Sequence, residues 1–367
     1  MKVIVVGAGI SGLSTAWSLV KHGVEVTLLE QGPIPNPLSA SGDQHRIIRR
    51  AYAGQGGYQK RISEAYDAWD EMWSDVGAKH LVDTGFLLLS QEPGDEGEQY
   101  RDGLIAGGYE CEELSPQETA ERFAFVDGST IRFGAYSAEG GVLLCQKIAA
   151  SLRDWLKAKG ADVRANARVA SLDAKAGSVR LESGEELSGD RVVVTAGAWV
   201  LGLLPELGTS LTTYRTAVVY LRPPEDLRLS WENGPVILDV GGKVDGYVLP
   251  PVAGTGLKFG AGMHKRKSLP DVDRVAAPGE GEIIRNHFSP PFARIEEYRV
   301  ENVVTCAYTF TTDEHFFVKE VGKVVAVSAC SGHGYKFGAA VGRRIAAGLV
   351  DNQVDAARIW LEARDCY

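Results

Sequence analysis

The sequence predicts a mixed α/β fold with two domains, one built on a parallel sheet with helices and the other on an antiparallel sheet with helices. Short β-branched runs at Lys2–Val6, Arg191–Thr195 and Lys323–Val327 are typical of parallel strands that are covered on both faces. Residues 211–260 instead alternate short strands with turn signals, which is typical of antiparallel sheet. The 367 residues are enough for two domains at about 150 residues each.

The order of these patterns along the chain predicts the domain boundaries. The parallel-strand pattern occurs at the start, in the middle and at the end of the sequence, with sheet-rich segments inserted between. We therefore expect a discontinuous first domain made of residues 1–80, 145–210 and 320–367. The second, substrate-binding domain is expected to consist of residues 81–144 and 211–319.

The composition excludes several classes of protein. Hydrophobic residues make up 44% of the chain and charged residues 24%, which is ordinary for a folded soluble protein. The net charge of −9 argues against nucleic acid as the main partner. The five cysteines include no C-x-x-C pair, so we predict no metal site and at least one reduced thiol.

The first apolar stretch, Val3–Val20, is interrupted by glycine, serine and threonine, which favours a buried strand, turn and helix over a signal peptide. Elsewhere in the sequence we find no stretch long and apolar enough to span a bilayer. From these observations we expect a cytoplasmic protein with neither a membrane nor a nucleic-acid partner.

The first 30 residues predict a β-α-β unit. Lys2–Val6 forms the first strand, and the helical spacing of apolar residues predicts a helix over Ser11–His22, which Gly23 ends. Val24–Leu29 is the second buried strand. Such a unit is the core of a Rossmann-like dinucleotide-binding domain.

The turn between the first strand and the helix carries Gly7-x-Gly9-x-x-Gly12. Gly7 permits the tight turn, Gly9 lets backbone N–H groups approach a pyrophosphate, and Gly12 allows close packing of helix and strand. The N-terminus of the helix adds partial positive charge. The alternative is a glycine-rich turn that only packs. The cofactor-binding residues predicted in this turn are Gly7, Gly9, Ile10, Ser11 and Gly12.

An acidic residue identifies the type of dinucleotide. Glu30 ends the second strand, where a carboxylate accepts hydrogen bonds from ribose hydroxyls and repels a 2′-phosphate, so NADP is disfavoured. Gln31 follows it and is also assigned to the cofactor site. NAD and FAD share the glycine motif. The second strand-to-glycine element at Val192–Gly197 and the strand–glycine–helix segment at the C-terminus favour FAD.

Four further segments make the chain similar, over nearly its whole length and in the same order, to a known family. The chain resembles the FAD-dependent amine oxidases of the monomeric sarcosine oxidase and N-methyltryptophan oxidase family, in the D-amino-acid-oxidase-like superfamily. The resemblance implies a glutathione-reductase-like or D-amino-acid-oxidase-like fold, an amino-acid substrate, dioxygen as the acceptor and a monomer. The segments are 42–52 (GDQHRIIRRAY), 256–260 (GLKFG), 305–317 (TCAYTFTTDEHFF) and 331–338 (SGHGYKFG).

The resemblance gives Cys306 a role in holding the flavin. In the family the cysteine at this motif position is joined to the flavin 8-methyl group by a thioether, and the reaction requires an accessible thiolate beside the ring. The alternative is a small buried apolar residue, which is what we expect of Cys111, Cys145 and Cys330.

The resemblance also implies a clamp for the substrate carboxylate. Its two members are Arg49, in the R-I-I-R string that begins at Arg46, and Lys336, in the S-G-H-G-x-K-F string. Arginine holds both carboxylate oxygens in a bidentate fork, and lysine adds a point charge. The alternative for Arg49 and Arg50 is a pair of surface ion pairs. Gly332, Gly334 and Lys336 are also assigned to the cofactor site.

Lys258 matches the lysine that in these oxidases promotes the reaction of the flavin with dioxygen. A fixed cation stabilises the superoxide charge that develops in the first electron transfer. Arg46 corresponds to a second cation on that side and also to a cofactor-binding residue. The alternative is that Lys258, on a strand, points to solvent.

The sequence departs from the family where the substrate side chain is expected. Gly42 stands where the family has a histidine, and His264 lies six residues after Lys258 instead of four. Sarcosine itself is therefore in doubt as the substrate. The candidates to line a pocket for a longer or second acidic group are Tyr247, His264, Arg215 and Lys243.

Together these residues predict a flavoprotein oxidase of secondary amino acids. The C–N bond is oxidised to an imine that hydrolyses, and dioxygen is reduced to hydrogen peroxide. N-methyl and N-carboxymethyl amino acids such as iminodiacetate are candidate substrates, and we predict no essential general base. One alternative is a dehydrogenase that passes electrons to a quinone or a protein, against which Lys258 argues. Another is a flavin-binding subunit without turnover.

Overall fold

The computed structural model describes residues 1–53 and 56–364, and Cys366 lies outside this part of the chain. None of the helices in these residues has both the length and the apolar character needed to cross a bilayer. The α-helices described are α1 (Ile10–Lys21), α2 (Gly56–Val76), α3 (Glu96–Ala106), α4 (Pro116–Arg122), α5 (Cys145–Ala158), α6 (Val200–Leu203), α7 (Glu225–Glu232), α8 (Glu280–Asn286), α9 (Gly338–Val350) and α10 (Val354–Glu362).

The strands of the described residues form two large sheets and two small ones. They are β1 (Lys2–Val6), β2 (Glu25–Leu29), β3 (Arg46–Arg49), β4 (Leu81–Asp83), β5 (Phe86–Ser90), β6 (Glu112–Leu114), β7 (Phe133–Ser137), β8 (Gly140–Leu143), β9 (Asp162–Arg164), β10 (Val169–Asp173), β11 (Ser178–Leu181), β12 (Glu186–Ser188), β13 (Arg191–Val194), β14 (Thr212–Arg222), β15 (Val236–Asp239), β16 (Gly246–Leu249), β17 (Leu257–Ala261), β18 (Arg266–Lys267), β19 (Arg299–Phe310), β20 (Phe317–Val321) and β21 (Val324–Ser328).

The first large sheet has six strands in the order β20-β21-β13-β1-β2-β9. Its strands run parallel except for β20, which is antiparallel to β21. The valines and leucines of β1, β2, β13 and β21 are almost completely buried, because helices cover one face and the small antiparallel sheet β10-β11-β12 lies on the other. The predicted parallel strands at the start, middle and end of the chain are confirmed as neighbours.

The helices α1 and α9 pack closely against each other beside this sheet. Gly342 of α9 makes the approach possible, since a Cβ at this position would lie 2.3 Å from the backbone carbon of Ser14 in α1. Trp17 of α1 and Trp69 of α2 are fully buried in the same apolar core. The helix α2 is amphipathic, and the buried side that carries Trp69 and Trp73 packs into this core.

The second large sheet has nine strands in the order β18-β14-β17-β16-β15-β5-β7-β6, with β19 paired to β14. Its pairs are antiparallel except β15 and β5, in which Val236 lies beside Phe86 in a parallel register. The aromatic residues Trp231, Phe259 and Phe288 fill the core on one face of this sheet. The antiparallel pattern predicted for residues 211–260 is confirmed with that one exception.

The acidic, glycine-containing stretch Glu92–Glu98 has the composition of a solvated loop, but in the structure α3 begins within it at Glu96. The side chain of Asp95 accepts a hydrogen bond from the backbone N–H of Glu98 at 3.1 Å, which is an N-cap. The acidic residues thus start a helix, and α3 places its side chains on the wall of the large cavity described next.

Candidate active site

A cavity of about 1050 Å³ opens at the carboxyl ends of the parallel strands and extends to the second large sheet. Single ligand sites usually measure about 300–1,000 Å³, so there is room for a large ligand or for two ligands. Its wall includes residues that follow β1, β2, β13 and β21, together with β3, α3 and β16. Ligands of open α/β sheets bind at this edge.

The glycine turn after β1 forms one end of the cavity and fits a dinucleotide. Gly7 has a φ of +100°, and a Cβ there would lie 2.6 Å from the carbonyl oxygen of Thr195. A Cβ on Gly12 would lie 1.8 Å from the carbonyl oxygen of Gly7. Positions 7 and 12 therefore have no room for a side chain. Gly7, Gly9, Ile10 and Ser11 line the cavity where α1 begins. This is the cradle that a pyrophosphate needs.

Glu30 is held rigidly beside this turn. Its carboxylate accepts hydrogen bonds from the backbone N–H groups of Ala8 at 2.8 Å and Gly32 at 3.1 Å. The side-chain amide of Asn36 donates a third bond at 2.9 Å. Glu30 and Gln31 both line the cavity, so an oriented carboxylate is available for ribose hydroxyls.

Arg49 and Lys336 lie together on another part of the wall. Both are 5% exposed. The guanidinium carbon of Arg49 lies 4.0 Å from the ring centre of Tyr52 and 5.1 Å from that of Tyr100. Its Nη1 donates to the carbonyl oxygen of Ala51, and its Nε has no hydrogen-bond partner in the part of the chain described. Arg49 is thus clamped between aromatic rings with hydrogen-bonding capacity to spare.

The Lys336 amine is held by neutral groups. Nζ donates to the Tyr52 hydroxyl at 3.2 Å and to the carbonyl oxygen of His333 at 2.7 Å. Burial, and then the neighbouring Arg49, hold the pKa of Lys336 well below its usual value. Tyr52 also lies 3.1 Å from Nδ1 of His333, which links the aromatic clamp to the glycine-rich segment at 332–334. Gly332, Gly334 and Lys336 all line the cavity.

A second group of charges lies behind Arg46, which also lines the cavity. Asp43 accepts hydrogen bonds from Nζ of Lys258 at 3.0 Å, from Nη1 of Arg46 at 2.9 Å and from the Tyr220 hydroxyl at 2.6 Å. Nζ of Lys258 also donates to the carbonyl oxygen of His45 at 2.5 Å. Lys258 is fully buried, so the alternative in which it points to solvent is excluded.

These contacts shift the ionisation of each member. Burial lowers the pKa of Lys258 to about 8, with Asp43 acting in the opposite direction. Burial also opposes ionisation of Asp43, but Lys258 and Arg46 hold its pKa well below the usual range. Asp43 raises the pKa of Arg46 well above its usual value against the effect of burial. The group therefore carries two cations on one carboxylate at neutral pH.

Cys306 and Cys330 differ in their position relative to the cavity. Cys306 lies on β19 opposite Thr216, is 6% exposed, and borders a small gap next to Arg46 and Tyr308. Burial raises the pKa of its thiol to about 11. Cys330, which sequence reasoning treated as structural, lines the large cavity itself. Its position just after the last strand of the parallel sheet is the signal that would have indicated this.

The four residues predicted to bind a longer or second acidic group do not all line the cavity. Tyr247 lines the cavity, but His264 and Arg215 do not. Arg215 is fully buried and forms a two-point ion pair with Glu280, with an Nη2 to Oε2 distance of 2.8 Å. Nε2 of His264 lies 2.7 Å from the same carboxylate. Glu280 therefore binds both side chains, and Lys243 is exposed and does not line the cavity.

Several other residues line the cavity although the sequence patterns did not identify them. Tyr52 follows the R-I-I-R string, and Tyr100 lies on α3. Asp43 precedes Arg46 by three residues within the matched segment, which is the signal that could have assigned it. Glu96 and Asp245 also line the cavity, and nothing in their sequence context indicates this.

Comparisons with known proteins agree with this geometry. The model of the family described as FAD dependent oxidoreductase matches residues 2–348. Peroxisomal sarcosine oxidase of Homo sapiens is 29% identical over 352 residues, which cover 93% of this chain and 90% of the relative. Monomeric sarcosine oxidase of Bacillus sp. (strain B-0618) is 28% identical over 362 residues, with the same coverage of 93% and 90%.

Solved structures share the fold at lower identity. The open form of NikD, an amino acid oxidase essential for nikkomycin biosynthesis, has a TM-score of 0.79 at 20% identity and covers 95% of this chain and 94% of its own. L-proline dehydrogenase from P. horikoshii has a TM-score of 0.82 at 17% identity, with 99% and 96% covered. The glycine cradle and the oriented Glu30 agree with the family match, which covers most of the chain. This chain belongs to the FAD-dependent oxidoreductases.

Proposed function

We propose that the protein is an oxidase of secondary, N-substituted amino acids that reduces dioxygen to hydrogen peroxide. The observation that carries this proposal is the buried pair of cations, Arg49 and Lys336, on the wall of the cavity. Within residues 1–53 and 56–364 no carboxylate forms an ion pair with either side chain. The carboxylate of an amino acid supplies the missing counter-charge. The sarcosine oxidases similar to the chain support an N-substituted substrate.

The clamp binds and orients the substrate. Arg49 stacks on Tyr52, which restricts the guanidinium to one plane, and its free Nε is available for a carboxylate oxygen. Lys336 approaches from the glycine-rich segment and shares a hydrogen bond with the same tyrosine. Arg50, the next residue, is instead engaged by Glu139 and Ser63. The surface alternative therefore describes Arg50 and not Arg49.

The proposed reaction uses no general base. A secondary amine reacts in its neutral form, because the nitrogen lone pair stabilises the forming imine. The substrate therefore loses its ammonium proton to solvent before its C–N bond is oxidised. The imine then hydrolyses to an amine and a carbonyl compound.

The cofactor is held at the other end of the cavity. When bound, FAD would accept the hydride equivalent that leaves the carbon bonded to nitrogen and would supply its two electrons to dioxygen. Gly7, Gly9 and Glu30 are suited to its pyrophosphate and ribose. We propose that Cys306 also holds it covalently. Because the pKa of this thiol is raised to about 11, we expect the linkage to form slowly, after noncovalent binding.

We propose that Lys258 and Arg46 together promote the reaction with dioxygen. Arg46 lines the cavity, and Lys258 lies behind it. Both side chains donate hydrogen bonds to the carboxylate of Asp43, so the charge of Lys258 is held close to that of Arg46. Superoxide is a new anion in the first electron transfer, so fixed cations stabilise that transition state more than the ground state.

A dehydrogenase that uses a quinone or protein acceptor is the second candidate. One observation favours it: Nζ of Lys258 is bound by Asp43 and is absent from the cavity wall. The peroxide formed in air per amine oxidised separates the two candidates. An oxidase forms one equivalent, and a dehydrogenase forms little until an artificial acceptor is added.

Removal of Arg49 tests the clamp. In the holoenzyme, Arg49→Ala is expected to weaken binding of simple carboxylate inhibitors, followed by the change in flavin absorbance, by about thirty-fold or more. Arg50→Ala is the matched control, because it removes the neighbouring arginine that already has protein partners, and it should bind normally. Equal affinities in the Arg49 variant and the wild type would place the substrate elsewhere.

A further inference from the structure

Carboxylates that the proposed reaction does not use line the cavity next to the clamp. Glu96 and Tyr100 lie one turn apart on α3 and both face the cavity. Tyr100 is the residue whose ring covers the guanidinium of Arg49. Asp245, just before β16, lines the cavity from the second large sheet. The acidic wall of Glu96 and Asp245 is therefore continuous with the carboxylate clamp.

The fold holds Asp245 firmly in this place. Its φ of +47° is in the left-handed region, which aspartate tolerates better than most residues. The backbone N–H of Gly262 donates to its carbonyl oxygen at 2.7 Å. A Cβ on Gly262 would lie only 1.6 Å from Oδ2 of Asp245, so the glycine leaves the space that the carboxylate fills. The position of the Asp245 carboxylate is therefore set by the local backbone conformation and by the neighbouring glycine.

In the described part of the chain, neither carboxylate of the acidic wall has a hydrogen-bond or ion-pair partner. Both side chains are exposed and line the cavity. Lys265, the cation that acts on Asp245, also lines the cavity but pairs with Glu314 at 3.3 Å. The two carboxylates are therefore open to a cationic group of a ligand.

The opposite charge lies at the clamp. Arg49 is 5% exposed, and its Nε has no hydrogen-bond partner among the described residues, which points independently to an anionic ligand group in the same cavity. A ligand complementary to both regions carries a carboxylate at one end and a cation at the other. Arg215 and His264, which the sequence suggested for an acidic second arm, are bound by Glu280 and do not line the cavity.

We propose that the substrate is an N-substituted amino acid whose second arm ends in a cation, a primary ammonium or a guanidinium, that pairs with Glu96 and Asp245. This inference rests on the proposed function, because it assumes that Arg49 and Lys336 bind the amino-acid carboxylate. The pairing forms charge-assisted hydrogen bonds between the cation and the two carboxylates that line the cavity, and such bonds are stronger than those between neutral groups. It assigns the acidic wall to substrate specificity and leaves the oxidation chemistry unchanged.

The test uses three series of N-alkylglycines with arms of three to six carbons. One series ends in an ammonium group, one in a methyl group of similar size and one in a carboxylate. Binding to the holoenzyme is measured without oxygen through the flavin absorbance, and reduction of the flavin is followed in the same cuvette. We expect the best ammonium arm to bind about ten-fold more tightly, or better, than its methyl counterpart. The carboxylate arm should bind most weakly.

Two variants assign this preference to the acidic wall. Glu96→Gln and Asp245→Asn keep shape and remove charge, and each should reduce the preference for the ammonium arm several-fold while sarcosine binding stays within about three-fold. Glu110→Gln is the matched control, since it removes an exposed acidic residue that does not line the cavity. It should leave every affinity unchanged.

The outcomes separate this inference from the proposed function. Equal binding of ammonium and methyl arms, or tighter binding of the carboxylate arm, would overturn the inference while the proposed function stands. A preference for the ammonium arm that survives in both wall variants would also overturn it. If no N-alkylglycine of any series binds or reduces the flavin, and Arg49→Ala changes nothing, the proposed function itself fails.

Discussion

Asp43 illustrates how one buried side chain organises the charges near the flavin site. Oδ2 accepts from Lys258 at 3.0 Å and from Arg46 at 2.9 Å, while Oδ1 accepts from Tyr220 at 2.6 Å. An unpaired ammonium buried as deeply as that of Lys258 would be strongly disfavoured in its charged form. Asp43 offsets part of that cost, so Lys258 keeps a pKa of about 8 and is mostly protonated at neutral pH.

Replacement of Lys258 by methionine tests the role of this charge. Lys258→Met keeps the length of the side chain and deletes the ammonium. We expect reoxidation of the reduced flavin by dioxygen to slow about a hundred-fold or more, because one preorganised electrostatic group is worth on the order of 10²–10³ in rate. Anaerobic reduction by substrate should change by less than about ten-fold. Stopped-flow absorbance measures both steps, and Lys267→Met, at an exposed lysine, is the control.

The pH profile gives the same prediction an independent readout. Below pH 8 the Lys258 amine is protonated, and above it the charge is lost. Reoxidation in the wild type should therefore be constant at low pH and fall as pH rises through about 8, and the methionine variant should lack this step. Equal slowing of both half-reactions would mean that Lys258 supports the substrate or the fold. If neither half-reaction slows, the site that promotes the reaction with dioxygen lies elsewhere, and Arg46 is the next candidate.

A second residue-scale prediction concerns the flavin linkage. Acid-precipitated wild-type protein should stay yellow, because a thioether to Cys306 survives denaturation. Cys306→Ala should release all its flavin into the supernatant, since noncovalent contacts are lost on unfolding. Cys330→Ala is the matched control: this thiol lines the cavity, and its loss should leave the linkage intact. Flavin released by the Cys330 variant but retained by the Cys306 variant would reverse the assignment.

At the scale of elements, the junction of β1 and α1 was predictable from sequence almost to the residue. Gly7 and Gly12 are needed because backbone atoms come within 2.6 Å and 1.8 Å of the space for a Cβ. Such steric demands are local, and they therefore leave a readable motif. The strand β19 was not predicted, since its exposed N-terminal half carries charged residues and its pairing partner, β14, lies about 90 residues earlier in the chain.

The glycine turn yields an element-scale prediction. Gly9→Val should abolish incorporation of FAD, because a β-branched side chain at the start of α1 would occupy the cavity where the phosphates approach. A Cβ at this position already lies 3.3 Å from Oγ of Ser41. The flavin content of the purified protein, read from its absorbance, checks this. Gly208→Ala, at a glycine with free space around it, should stay fully yellow. A yellow Gly9 variant would remove the dinucleotide interpretation of this turn.

At the scale of the whole molecule, the cavity is assembled from distant parts of the chain. Residues that follow β1, β13 and β21 meet because these strands are neighbours in one parallel sheet, although nearly 190 residues separate the first two. The four matched segments predicted which stretches converge. They did not predict which side chains reach the cavity, because that depends on tertiary partners. Arg215 is the clear example, since Glu280 holds it beside the second large sheet and away from the cavity.

The sequence did not predict that the acidic wall lines the cavity, and the reason is the same. Glu96 reaches the cavity because Asp95 caps α3 and sets the phase of the helix. Asp245 reaches it because Gly262, on a neighbouring turn, leaves space for the carboxylate. Asp95 is itself held by the backbone N–H of Gly242, which donates to its Oδ2 at 3.1 Å. Both carboxylates are therefore placed by contacts between separate segments, whereas the cofactor turn depends on contacts within one short segment.

Anaerobic titration of the holoenzyme with N-substituted amino acids is the decisive test of the proposed oxidase activity. We expect at least one secondary amino acid, from a panel of N-methyl, N-carboxymethyl and N-(aminoalkyl) amino acids, to bleach the flavin with one equivalent per site. Admission of air should restore the colour and release one equivalent of hydrogen peroxide. A flavin that no secondary amino acid bleaches, or one that stays bleached in air until a quinone is added, would contradict it.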